Sequence, residues 1–104
     1  MKNKNLPEKI FDLLKQIPKG KVTTYKALAI KAGIKNPRQI GQIIHTNEHP
    51  EIYPCHRVVK SDGTLALGYK YGGRDGQKKR LLSDGIKFTN DKIDLPSYLF
   101  TFLL

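Results

Sequence analysis

Apolar residues in the first half of the chain recur at helical spacing. An i, i+3, i+4, i+7 pattern predicts helices over residues 6–17, 25–32 and 37–45, each with one apolar stripe. Three such helices would pack their stripes on a common core. The positions expected in that core are Ile10, Leu13, Leu14, Ile17, Tyr25, Leu28, Ala29, Ala32, Ile40, Ile43 and Ile44.

Cap and turn residues separate these helices. Asn5 and Thr24 are suited to cap the first two, and Asn36-Pro37 marks the start of the third. Gly33 is a typical residue for ending the second helix. Two short helices joined by a glycine-containing turn are typical of a helix-turn-helix, although an ordinary helical hairpin has the same pattern.

Past residue 54 the pattern changes to that of extended chain. Residues 55–60, with two adjacent valines, predict a strand, and residues 64–67 predict the returning strand. Asp62-Gly63 between them is a hairpin turn sequence. A hairpin after a helix-turn-helix is a wing, so the expected fold class is α+β: a small, mostly helical winged helix-turn-helix domain.

A fourth helix is predicted over residues 75–83, with Asp75 as its cap and Leu81 and Leu82 as core contacts. The segment from Ile86 to Phe100 is too apolar for a free tail, so we expect it to pack on the domain. A chain of 104 residues without repeats is expected to form a single domain over 1–104.

Charge then points to an anionic partner. The chain carries 19 Lys and Arg against 9 Asp and Glu, a formal net charge of 19 − 9 = +10. No acidic residue lies between Asp12 and Glu48, where seven basic residues do, and a second basic set runs from Arg57 to Arg80. Segregated charge of this kind is typical of a nucleic-acid-binding face, whereas dispersed lysine would only confer solubility.

Composition excludes other classes. No apolar stretch approaches the roughly 18–20 residues that span a bilayer, and none follows the charged start, so we expect neither a membrane partner nor a signal peptide. A single cysteine forms no internal disulfide and no multi-cysteine zinc site. We therefore expect a cytoplasmic protein (nucleoid-associated or nuclear, depending on the host), a monomer, without metal or cofactor.

Cys55 is a candidate nucleophile. A lone cysteine is usually a small buried hydrophobe. Here His56 adjoins it, and Arg57 and Lys60 add positive potential, which lowers a thiol pKa. Neighbours in a strand point to opposite faces, so His56 need not touch the sulfur directly and could act through water.

The residues around Cys55 resemble a known family. Pro54-Cys55-His56-Arg57-Val58-Val59 is similar to the PCHRV active-site motif of the O6-alkylguanine-DNA alkyltransferases. Residues 17–25, with Leu28-Ala29, resemble that family's IPxGxVxxYxxLA segment, and residues 36–41 its PRxVG segment. Gly68, Gly72 and Gly73 resemble the glycines of the family's loop after the wing, and Gly85 that of its LLxxEG segment. The resemblance covers residues 6–88 and corresponds to the family's C-terminal domain.

The resemblance implies roles for individual residues. Cys55 would accept the alkyl group from the guanine oxygen, and His56 would be the water-mediated base that generates its thiolate. Asn47 would brace the active-site loop. Tyr25 would rotate the target nucleotide and protonate the departing guanine, and Arg38 would fill the vacated stack.

The remaining assignments concern DNA contacts and the base pocket. Double-stranded DNA containing O6-alkylguanine is the implied partner. Taken singly, these residues have ordinary explanations as core, loop or phosphate contacts, whereas their joint spacing favours the specific roles. Predicted DNA contacts are Arg38, Thr24, Tyr25, Gln39, Gln42, Arg57 and Lys60, and predicted pocket walls are Tyr69, Val58 and Pro50.

The chain also departs from the family pattern. Asp84 stands where the family has a glutamate that orients the histidine, and it is one methylene shorter. The loop between Gly63 and Gly72 looks about a residue longer, which bears on the size of alkyl group accepted. The segment from Ile93 to Leu99 resembles the tail of alkyltransferase-like proteins, which bind alkylated DNA and recruit excision repair without transfer, and which typically have tryptophan in place of Cys55.

Three hypotheses follow. A single-turnover methylated-DNA–protein-cysteine methyltransferase would transfer the alkyl group to Cys55. A sensor would bind the lesion and recruit excision-repair proteins without transfer. A winged-helix transcription regulator would read a major-groove sequence and tolerate Cys55→Ala. The intact motif at Cys55, together with Asn47, Tyr25 and Arg38, favours the first.

Overall fold

A computed structural model describes residues 5–102 of the chain. It confirms a small α+β domain. The strands are each two residues long: β1 (Thr23–Thr24), β2 (Val58–Val59), β3 (Phe88–Thr89) and β4 (Lys92–Ile93). The helices are α1 (Leu6–Lys15), α2 (Tyr25–Ala32), α3 (Arg38–Ile44), α4 (Gly73–Ser83) and α5 (Leu95–Tyr98), with a 3-10 helix at Cys55–Arg57.

The first two helices begin where the sequence predicts. Asn5 Oδ1 accepts a hydrogen bond from the Glu8 amide at 2.9 Å, and Thr24 Oγ1 accepts one from the Ala27 amide at 3.0 Å. Each bond satisfies an amide that the first helical turn leaves unpaired. Gly33 ends α2 with a φ of 79°, so the predicted bounds of α2 are confirmed, while α1 ends two residues earlier than predicted.

The other two helices start elsewhere than predicted. Pro37 is the cap of α3, although Asn36 Oδ1 still accepts from the Arg38 amide at 3.0 Å. Helix α4 begins two residues before the predicted start, because Gly72 adopts a left-handed φ of 99° that turns the chain into the helix. Asp75 therefore lies in the first turn of α4 and is not its cap.

The predicted wing hairpin is wrong. Val58 and Val59 pair in parallel with Thr23 and Thr24, and residues 64–67 form no strand. Both valines are fully buried, so they are placed in the centre of the domain beside β1. Lys60 and Thr64 keep a tight turn, closed by a bond from the Lys60 amide to the Thr64 carbonyl at 2.9 Å.

An antiparallel hairpin forms instead in the segment after α4. Strands β3 and β4 pair there, and Asn90 and Asp91 supply the two positive φ angles, 52° and 60°, of a tight hairpin turn. Val22 donates to the Tyr98 carbonyl at 2.9 Å and accepts from the Phe100 amide at 2.8 Å. The prediction that this apolar segment packs on the domain is confirmed.

Two apolar clusters flank the β1–β2 pair. The first joins α1, α2 and α3 with Cys55 and Val58, and the second joins Val22, Val59 and Leu81 with the residues that follow α4. Leu82 is 51% exposed, so its prediction as a core contact is wrong. Within residues 5–102, no helix is both long and apolar enough to cross a bilayer.

Candidate active site and nucleic-acid interface

A broad groove of about 1280 Å³ opens beside Cys55. One wall comes from the start of α2 and from α3, and the other from the chain between Lys60 and Lys70. The second wall carries Leu67, whose side chain is 76% exposed. The groove therefore combines an apolar side with a rim of cations: Lys26, Arg38, Lys60, Lys70 and Arg74.

Cys55 is the first residue of the 3-10 helix and lines this groove. It is 3% exposed, and its amide donates to the Tyr53 carbonyl at 2.7 Å. Burial raises the pKa of its thiol above the ordinary value, and a hydrogen bond with Asn47 acts in the opposite direction. The thiol therefore needs a base before it can react as a thiolate.

Asn47 ties the loop before the 3-10 helix together. Its Nδ2 donates to the Tyr53 carbonyl at 2.7 Å, and its Oδ1 accepts from the His49 amide at 2.9 Å. Its backbone carbonyl accepts from the Tyr71 hydroxyl. A buried side chain with these bonds joins His49 to Tyr53, two residues before Cys55, which is the bracing position that the family resemblance implies.

His56 reaches Asp84 across the base of the site. Its Nε2 donates to Asp84 Oδ2 at 2.9 Å, so the shorter aspartate does span the distance. Arg57 binds the same carboxylate, with Nε 2.7 Å from Oδ2 and the second guanidinium nitrogen 3.3 Å from Oδ1. These side chains are 9–16% exposed, so the cluster is shielded from solvent.

The bond to Asp84 sets the tautomer of His56. With the proton on Nε2, the lone pair lies on Nδ1, which is buried and has no hydrogen-bond partner in residues 5–102. Burial lowers the pKa of His56, and Asp84 only partly opposes this. The ring is therefore neutral near pH 7 and able to accept a proton at Nδ1.

Two tyrosines approach Cys55 from opposite walls. Tyr25 comes from α2 and Tyr69 from the loop before α4. Burial raises the pKa of Tyr25, and burial with the nearby Cys55 raises that of Tyr69 to about 12. Both hydroxyls therefore keep their protons at neutral pH and can donate hydrogen bonds into the groove.

Several predicted DNA-binding residues line the groove. Arg38 and Gln42 are exposed on α3, and Lys60 is exposed on the facing turn. Gln39 is also exposed on α3, but it does not line the groove. Their placement on one helix and its facing loop fits a contact surface along the groove.

Four predicted site residues lie elsewhere. The Arg57 guanidinium is held by Asp84 and by the Ile17 carbonyl at 2.8 Å, so it does not face the groove. Val58 is 0% exposed in the core and forms no pocket wall. Pro50 lies outside the groove lining, and the Thr24 hydroxyl is occupied as a helix cap. Motif matching does not distinguish a buried neighbour of a site from a residue that lines it.

The structure also adds residues that sequence reasoning missed. Gln77 on α4 is 1% exposed, and its Nε2 donates to the His56 and Val58 carbonyls at 2.9 Å each. Arg80 on the same helix stacks on Tyr71, with Cζ 5.6 Å from the ring centroid. The predicted helix over residues 75–83 already placed 77 and 80 on one face, which was the available signal.

Fold and site together define a small helical domain with a cysteine at the floor of a groove, as in O6-alkylguanine-DNA alkyltransferases. Residues 5–86 match the family model described as "6-O-methylguanine DNA methyltransferase, DNA binding domain". The chain belongs to this family, and the resemblance seen in the sequence is confirmed.

Relatives of two kinds are similar to this chain. The Bifunctional methyltransferase/endonuclease of Picrophilus torridus is 42% identical over 96% of this chain and 33% of its own length. The Methylated-DNA--protein-cysteine methyltransferase of Candida glabrata is 45% identical over 86% of this chain and 42% of its own length. The chain thus spans less than half of either relative.

A solved structure matches over nearly its full length. It is S. pombe Atl1 in complex with damaged DNA containing O6-carboxymethylguanine, with a TM-score of 0.83 and 31% identity. The match covers 97% of this chain and 99% of the Atl1 chain. The family relationship therefore extends to both transferases and alkyltransferase-like proteins.

Proposed function

We propose that this protein binds double-stranded DNA containing O6-alkylguanine and transfers the alkyl group to Cys55, acting once per molecule. The observation that carries this proposal is the placement of Cys55 in the groove, after a loop braced by Asn47 and next to the His56–Asp84 pair. A buried thiol with a neutral, oriented imidazole beside it is the arrangement that activates a nucleophile.

Alkyl transfer begins with deprotonation of the thiol. The Cys55 proton passes through water to His56 Nδ1, and the thiolate attacks the alkyl carbon. The sulfur–carbon bond forms as the bond from carbon to guanine O6 breaks, and its electron pair stays on the guanine. Tyr25 donates the proton that leaves a normal guanine. A thioether remains on Cys55, and because its carbon–sulfur bond is not cleaved by thiols or water, each molecule acts once.

Access to a base inside a duplex requires that the nucleotide leave the stack. Arg38 at the start of α3 is exposed on the groove, in position to enter the vacated stack. The rim cations supply phosphate contacts on both sides of the extruded nucleotide. The complex of the related Atl1 with damaged DNA supports binding to damaged DNA.

The test is incubation with a duplex containing O6-methylguanine, followed by intact mass spectrometry and peptide mapping. We expect one methyl group on the peptide with Cys55, at one equivalent per protein molecule. Cys55→Ala should bind the duplex and gain no mass. Tight binding by the wild type with unchanged mass would exclude transfer.

That last outcome would identify a lesion sensor, the second candidate. The specific observation in its favour is the nearly full-length match to Atl1. A sensor would need partners from excision repair, and lesion affinity would be the same in the wild type and in Cys55→Ala. The retained cysteine in an otherwise complete site favours transfer.

A further inference from the structure

Helix α4 and its C-terminal cap residue, Asp84, present three polar side chains to the active-site segment from one face. Gln77 donates to the His56 carbonyl, and Asp84 accepts from His56 Nε2. Arg80 lies between them, three residues after Gln77 and four before Asp84. Residues at this spacing lie on one side of a helix, so Arg80 faces the 3-10 helix that carries Cys55.

The Arg80 guanidinium is held on the ring of Tyr71, at 5.6 Å from its centroid. Lys70 Nζ lies 5.7 Å from the same centroid. The Tyr71 hydroxyl donates to the carbonyl of Asn47, and the Asn47 side chain donates to the Tyr53 carbonyl, to which the Cys55 amide also donates. The cation on Tyr71 is therefore linked through Asn47 and Tyr53 to the backbone of Cys55.

The charge of Arg80 matters because the other charged groups behind Cys55 neutralise each other. Arg57 binds both oxygens of Asp84 and so neutralises the carboxylate behind His56. His56 is itself neutral before proton transfer. Tyr25, Tyr69 and Lys70 line the groove together with Cys55. Asn47 in the preceding loop and Arg80 on α4, held on Tyr71, are the other groups whose dipole or charge acts on the thiol. Only Lys70 and Arg80 among these carry positive charge, and Lys70 is exposed whereas Arg80 is half-buried.

We infer that Arg80 is a positioning residue, which holds fixed positive charge beside Cys55 and favours its thiolate. A cation that is partly shielded from water is screened less than one at the surface, so Arg80 contributes more than Lys70. The attraction is consistent with the lowering effect that Arg80 has on the thiol pKa. This inference deepens the proposed transfer reaction, but the charge acts on the thiol whether or not DNA is the alkyl donor.

The experiment measures the rate at which iodoacetamide modifies the full chain as a function of pH. Because the chain has one cysteine, the mass gain reports Cys55 alone. Arg80→Met keeps a long stem against Tyr71 and removes the charge. We expect its rate profile to shift to higher pH, so that the rate at pH 7 falls about threefold to tenfold.

Lys79→Met is the matched control, because it removes the same charge from the exposed neighbouring position of α4. Its profile should coincide with that of the wild type. If Arg80→Met does not fold, Arg80→Lys and Arg80→Gln give the same comparison: the lysine variant should keep the wild-type profile and the glutamine variant should shift it. Superimposable profiles for charged and neutral variants would overturn the inference. Failure of methyl transfer from DNA with a shifted Arg80→Met profile would instead count against the proposed function alone.

Discussion

Asp84 holds His56 by a single hydrogen bond, 2.9 Å from Oδ2 to Nε2, and thereby directs the other ring nitrogen away from itself. Because the carboxylate can only accept, the proton lies on Nε2 and the lone pair on Nδ1. The same carboxylate is shared with Arg57. Orientation of the imidazole, more than an increase in its basicity, is therefore what Asp84 provides.

Asp84→Asn should slow methyl transfer about tenfold or more, because an amide no longer fixes the tautomer of His56. Asp84→Glu, with the longer side chain, should retain transfer. Single-turnover rates with an O6-methylguanine duplex give the comparison. Asp91→Asn is the control, since Asp91 is 88% exposed in the β3–β4 turn and does not line the groove. A wild-type rate for Asp84→Asn would show that the pair has no part in activation.

Stability should fall in acid through two groups. Burial lowers the pKa of His56 in the folded protein. Below about pH 6.5 the imidazole is therefore protonated more readily in the unfolded chain than in the folded one. The free energy of unfolding keeps its full value above this pH and declines below it. Burial acts to raise the pKa of Asp84, but hydrogen bonds from Arg57 and His56 bring this pKa below its ordinary value. The free energy of unfolding therefore declines further below about pH 4, where the carboxylate of the unfolded chain becomes protonated first.

Urea unfolding at a series of pH values checks both losses. His56→Gln should remove the first and Asp84→Asn the second. Equal unfolding midpoints for the wild type between pH 7 and pH 5 would contradict the assignment to His56.

Tyr25→Phe should slow transfer by about tenfold while leaving the fold intact, because it removes a hydroxyl that stays protonated at neutral pH. The rate is measured by quenching the reaction at a series of times and quantifying the methylated protein. Tyr53→Phe is the matched control, since its ring lies outside the groove. Equal losses in the two variants would mean that the Tyr25 hydroxyl has no specific role in the reaction.

Lys60→Ala should weaken binding to damaged and undamaged duplexes alike. The logarithm of the affinity should fall less steeply with the logarithm of salt concentration, by about one unit of slope, because one phosphate contact is lost. Fluorescence anisotropy at several salt concentrations gives both slopes. Lys9→Ala on α1, which does not line the groove, should leave the slope unchanged, and an unchanged slope for Lys60→Ala would remove that residue from the interface.

Gln77→Leu should lower the free energy of unfolding by about 2–4 kcal/mol, because the His56 and Val58 carbonyls lose their donor. Thermal and denaturant unfolding measure the loss. Gln39→Leu replaces an exposed helical glutamine and should change stability little. Similar losses for both would indicate a general effect of leucine and not of the buried bonds.

The sequence by itself determined the first two helices and the family of this protein. The period of apolar residues and the caps at Asn5 and Thr24 specify α1 and α2, because helix formation depends on contacts within a few residues. The motif around Cys55 identified the family and the candidate nucleophile before any geometry was known, since motif and chemistry depend on residue types close in sequence. Asp84 was also singled out from its motif, and in the structure its carboxylate lies 2.9 Å from His56 Nε2.

Tertiary structure decided which distant segments meet. The Asp62-Gly63 turn predicted a wing, yet β2 pairs with β1, because two fully buried valines gain more from the centre of the domain than from an exposed hairpin. The sequence predicted Arg57 as a DNA contact, whereas in the structure its guanidinium binds Asp84 and the Ile17 carbonyl. The Arg80–Tyr71 contact likewise joins side chains whose nearness depends on how α4 packs, so only the folded chain reveals it.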